Sequence, residues 1–137
     1  MTITTIDVNY LAVLVSAIVS FLIGGLWYQA LFGKTWEKLE RKKMGAGKNK
    51  MVLLLINFIA SLVTSYVLLH TLTYAGATSV SDALIVGFFT WLGYFAVTTI
   101  LGSVLWEGKS IKLYAMNAGF WLINLLIMSL ILTLWPY

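Results

Sequence analysis

The chain has no cysteine and few charges, and each shortage closes a class of function. Without thiols there is no disulfide and no thiolate metal site, and cysteine usage says nothing of redox compartment. Charged residues make up 10% of the 137, against about 25% in ordinary soluble domains, and hydrophobic residues reach 61%, against about 45–50%. A soluble globule of this size cannot hide so much apolar surface. No Asp, Glu, Lys or Arg stands in the middle of any long apolar run, which removes the usual carriers of proton coupling, cation coupling and voltage sensing. The single histidine, His70, reads as a membrane-interface residue, and alone it cannot supply a metal set, so no metal is expected. No nucleophile, base and orienting acid can be assembled, so neither an enzyme nor a cofactor is expected. Gly33-Lys34-Thr35 is not a phosphate loop, because Tyr28 stands where its first glycine is required.

What the chain does contain is four apolar runs, over 8–32, 51–74, 84–106 and 113–135, each at or above the roughly 20 residues needed to cross a bilayer. They predict an all-α integral membrane protein, a four-helix bundle forming one transmembrane domain over 1–137. The net charge of +4 would suit nucleic acid, but all nine Lys and Arg fall in segments 34–50 and 109–112, beside the runs. That bias reads as membrane topology, with no nucleic-acid partner. It places both basic segments in the cytoplasm and both termini outside. The first run is too long, and its Leu26-Trp27-Tyr28 end too bulky, for a cleaved export signal, so it is expected to stay in the mature chain. So strong a bias also argues against an antiparallel pair. Any homo-oligomer is expected to be parallel.

The connector over 33–50 reads as a short interfacial helix ended by Gly45-Ala46-Gly47, with Lys38, Arg41, Lys42 and Lys43 reaching anionic lipid headgroups. In span 1, Ala12, Ser16, Ser20 and Gly24 recur every four residues and form a strip for close helix packing. Asn57 and Ser61 in span 2, Trp91, Tyr94 and Thr98 in span 3, and Asn117, Trp121 and Asn124 in span 4 sit at helical spacings. At about 1.5 Å of rise per residue most of them lie in the inner half or near the centre of the bilayer. Polar groups facing lipid there go unsatisfied, so they should face other helices or water. Two readings fit them: interhelical hydrogen bonding, or a polar pocket or path. Trp27, Tyr28, Glu107 and Lys109, where spans 1 and 3 meet the cytoplasm, are candidates for a gate or turn. Gly33-Lys34-Thr35 and Gly108-Lys109-Ser110, with Asn57 and Asn117, also hint at two repeated helical hairpins.

Asn9-Tyr10-Leu11-Ala12-Val13, Gly25-Leu26-Trp27-Tyr28, Leu31-Phe32-Gly33-Lys34-Thr35-Trp36, Trp106-Glu107-Gly108-Lys109-Ser110 and Met116-Asn117-Ala118-Gly119-Phe120 together resemble the bacterial membrane-protein family known as domain of unknown function 1761. The resemblance covers nearly the whole chain, with Trp106 where Phe is expected. It implies a small multi-pass protein of the bacterial cytoplasmic membrane and brings no activity with it. Two functional classes follow. One is passive passage or binding of a small solute, ion or lipid by a parallel homo-oligomer. The other is a structural or regulatory protein that holds a partner through span 1 or the basic connector.

Overall fold

The computed structural model describes residues 6–41, 45 and 47–136. Along the chain run α1 (Tyr10–Leu31), a short α2 (Gly33–Glu40), α3 (Lys50–Tyr74), α4 (Val80–Trp106) and α5 (Ile111–Leu134). All but α2 are long and apolar enough to cross a membrane, so by length and composition they suggest a multi-pass membrane protein. Each of these four starts on a polar cap. Side-chain oxygens of Asn9, Asn49, Ser79 and Ser110 accept from the free N–H groups of the first turns of α1, α3, α4 and α5. The Ser79 cap starts α4 four residues before the apolar run at 84, and the Asp82 carboxylate seals it by accepting from the Thr78 N–H at 3.0 Å.

Among the described residues, three helical stretches depart from regular α geometry. Leu26–Leu31 closes α1 with wide π turns, in which Phe32 N–H reaches back to Trp27 O at 2.8 Å. In α4, π turns over Leu92–Ala96 and Ile100–Trp106 flank a short α segment, Val97–Thr99. Each wide turn adds a residue to the helical repeat and shifts the phase of everything after it. At the corner between α1 and α2, a Cβ on Gly33 would collide with the Tyr28 carbonyl oxygen, so only glycine fits. The connector helix ends sooner than the sequence predicts. Arg41 takes the left-handed conformation (φ 59°) and stops α2 at Glu40, ahead of Gly45 and Gly47. Lys42, Lys43 and Ala46 lie outside the described residues. Gly33 opens a helix whereas Gly108 sits at φ 70°, so the two Gly-Lys segments differ in conformation.

Helix α5 is the centre post, and it is the most buried of the four. At one end of the bundle, Ala12 and Val13 of α1, Leu68, Leu69 and Leu72 of α3, and Leu125, Met128 and Leu132 of α5 form a closed core. Ser65 Oγ–H donates to Val13 O at 2.9 Å within it. Helix α4 lies close on α5 at Gly87, where a Cβ would come within 2.9 Å of Ser129 Oγ and 3.3 Å of Leu125 O. The other end is open. Among the described residues, α3 buries nothing before Ser65, and neither Leu26–Leu31 nor Ile100–Trp106 buries any residue.

Candidate functional site

Where α3 stands away from α1, a groove of about 410 Å³ runs along the flank of the open half. Helix α1 contributes Ser20, Phe21, Gly24 and Gly25 from its regular part and Tyr28 and Gln29 from its wide turns. Helix α3 contributes Leu54, Asn57, Ala60, Ser61 and Thr64, Phe120 and Trp121 of α5 form the floor, and Trp36 of α2 closes one end. Among the described residues no charged side chain lines it. The polar wall is partly satisfied by its own helix. Asn57 Nδ2 donates to Leu53 O at 2.9 Å and Thr64 Oγ1–H donates to Ala60 O at 2.9 Å. The Asn57 amide oxygen and its second N–H have no partner among the described residues.

Four aromatic side chains tie α1 and α4 to α5, and of these Tyr28 also lines the groove. Trp27 Nε1–H donates to Met116 O (3.1 Å), Tyr28 O–H to Asn117 Oδ1 (2.6 Å), Trp91 Nε1–H to Ala118 O (2.9 Å) and Tyr114 O–H to Ala96 O (2.7 Å). All four converge on one short stretch of α5. Ala96 ends the first run of wide turns in α4, so the Tyr114 bond pins the helix where its geometry changes. The rings then continue through Tyr28, Phe120 and Trp121 to Phe95, with centroids 5.2–5.7 Å apart. Outside the groove, Lys109 Nζ pairs with Glu40 at 3.1 Å, tying the far end of α2 to the turn between α4 and α5.

Of the residues marked from spacing, Asn57, Ser61 and Trp121 line the groove, and Asn117 sits one hydrogen bond behind it through Tyr28. Trp91 lies on the other side of α5, docked on Ala118. Tyr94 and Thr98 are not part of the site. Tyr94 is 82% exposed, and the exposed Thr98 hydroxyl donates to Tyr94 O and Phe95 O of its own helix. The wide turns over Leu92–Ala96 explain this, because the i, i+4 rule that placed them beside Trp91 fails across an added residue. Asn124 is fully buried, and neither atom of its amide has a partner among the described residues; the buried Ser16 and Ser129 hydroxyls are likewise unpaired.

The Ala12, Ser16 and Ser20 strip is buried inside the chain, and a Cβ on Gly24 would meet the Phe120 ring at 3.7 Å. Trp27 and Tyr28 turn inward to α5, Lys109 takes Glu40, and Glu107 is exposed, its backbone N–H closing the last wide turn onto Gly102 O. Lys38 and Arg41 are exposed on α2. Spacing alone missed Phe21, Gly25, Gln29, Trp36 and Phe120, whereas Thr64, on the face of Asn57 and Ser61 by its spacing, lines the groove with them. The signal for the α1 set was present: an adjacent glycine pair one turn before an amide, Gln29, in an apolar run.

A family model described as Protein of unknown function (DUF1761) matches residues 11–133. Neither a curated protein nor a solved structure matches the chain.

Proposed function

We propose, for a chain that belongs to the DUF1761 family of proteins of unknown function, that it binds one small lipid-soluble molecule drawn sideways from the bilayer into the groove between α1 and α3. The observation that carries this reading is the groove itself, about 410 Å³ and uncharged among the described residues, cut into the flank of a bundle whose opposite half holds the aliphatic core and a smaller cavity of about 250 Å³. Its volume falls within the roughly 300–1,000 Å³ of small-molecule pockets. A water-filled path needs a polar lining along its length. Here Asn57, Ser61 and Thr64 occupy one wall, and beyond them Leu68, Leu69, Met128 and Leu132 fill the interior. The protein is then a binding protein and not an enzyme.

In this reading the open, basic end faces the cytoplasm. The exposed Lys34, Lys38 and Arg41 of α2 lie against anionic headgroups, each contributing about 1 kcal/mol of attraction. The absence of cysteine makes orientation simple to test by labelling single cysteines placed at Gly47 and Ser79 in intact cells. Only the one at Ser79 should react with an impermeant reagent. Reaction at Gly47 reverses the orientation.

Gly25→Leu tests the binding. Gly25 lines the groove and a Cβ there meets nothing within 4 Å, so a larger side chain is expected to occupy groove space at little packing cost. Native mass spectrometry of protein released from lipid nanodiscs should show one retained adduct per chain, lost in Gly25→Leu. Absence of an adduct from both, or an equal adduct on both, rejects the reading. A closed oligomer of three or more copies without an adduct would favour passage instead.

A further inference from the structure

Resting on that reading of the groove, we propose that its ligand carries a flat, uncharged, conjugated ring with carbonyl oxygens, of the quinone class, and an apolar tail that leaves between α1 and α3 into the bilayer. Three observations converge on this chemistry. The first is the aromatic lining. Phe21, Tyr28, Trp36, Phe120 and Trp121 come from three helices to one space, where offset stacking and edge contacts favour another flat ring over a saturated chain.

The second is Gly25. Its backbone is ordinary right-handed helix (φ −61°, ψ −47°), and a Cβ there would touch nothing within 4 Å. Neither conformation nor packing demands glycine at this position, and glycine is a poor helix former. What its missing side chain provides is open space against a stretch of bare backbone, shared with Gly24, on which a ring can lie.

The third is the polar wall. With no charged group lining the groove among the described residues, a phosphate, carboxylate or ammonium headgroup would be desolvated there without a counter-charge. A purely aliphatic chain would cover Asn57 and Ser61 and leave them unsatisfied. The second N–H of Asn57 and the Ser61 hydroxyl are donors that suit a neutral carbonyl oxygen.

The probe is decylubiquinone, a quinone with a short saturated tail, titrated into the full chain in phosphatidylcholine nanodiscs and read by native mass spectrometry, with palmitate as the competing arm. The expected result is one quinone per chain, bound at least tenfold more tightly than palmitate. Binding should be lost in Gly25→Leu and weakened about threefold in Asn57→Leu, as for one membrane hydrogen bond. Circular dichroism checks that both variants fold. Palmitate binding that Gly25→Leu removes, without quinone binding, keeps the groove and overturns the ring. Binding of neither probe overturns both. Quinone binding that survives Gly25→Leu places it elsewhere and overturns this proposal.

Discussion

At the end of the bundle where Ala12, Leu72 and Leu132 meet, helices are held by direct contact between small and aliphatic side chains. Toward the other end the hydrogen bonds of Trp27, Tyr28 and Tyr114 join α1 and α4 to α5, while Trp91 bonds to α5 and also packs against the aliphatic core. In a bilayer the lipid is as apolar as the helix surface, so close packing and interhelical hydrogen bonds must do the work that water exclusion does elsewhere. The two halves divide those means between them. Contact between Gly87 and Ser129 leaves no space at all, whereas an indole or phenol reaching across to α5 fixes the distance while keeping the helices apart. The larger cavity, about 410 Å³ against about 250 Å³ beside Leu72 and Leu132, lies in the half that carries the aromatic tethers. The wide turns belong to the same half, over Leu26–Leu31, Leu92–Ala96 and Ile100–Trp106.

The sharpest way to break this contrast is to place the same side chain in each half. Gly87→Leu drives α4 off α5 and should cost about 3 kcal/mol, as overpacking does, while Gly25→Leu should leave the thermal midpoint in detergent unchanged or slightly raised, leucine being the better helix former. Equal losses from the two would mean that the halves are packed alike. Asn124→Leu is expected to act in the opposite direction. Removing an amide with no partner among the described residues relieves a penalty of about 1–3 kcal/mol, so the midpoint should rise. A fall would show that the Asn124 amide is satisfied by buried water or another group in the membrane. The smallest effect belongs to Tyr28→Phe, which removes one tether and keeps the ring. It should cost about 0.6 kcal/mol and speed hydrogen exchange at the end of α1 while leaving the closed core protected. Uniform exchange across both halves would dissolve the distinction.

Much of the architecture was legible because hydropathy does not depend on helical phase. The four runs mark the four long helices, though hydropathy left out the turn of α4 before residue 84, which the Ser79 cap starts. The site was only partly legible because spacing arguments do depend on phase. On α3, a regular helix from end to end, Asn57 and Ser61 fall on one face as their separation predicts. On α4 the same argument groups Trp91 with Tyr94 and Thr98, and the wide turns break it. Gly25 and Gln29 escaped notice for another reason, since a groove is made by what two helices leave unfilled, and no single run records that. Arg41 in its left-handed conformation shows the limit for loops, because glycine was the expected stop and the chain ended the helix earlier with a residue that rarely does so.

The place of α5 in the bundle has a consequence in time. It is the last of the four spans to leave the ribosome, yet α1, α3 and α4 all pack against it, and α4 has most of its interhelical contact there. A nascent chain halted before Ile111 can join α1 to α3 through Ser65 and Val13, but α4 then has almost nothing to lean on, and Trp27, Tyr28 and Trp91 have no acceptors to find. Assembly is thus withheld until α5 has been made. For an interval set by the rate of translation, the unfinished protein offers its polar and aromatic side chains to whatever the membrane insertion machinery presents.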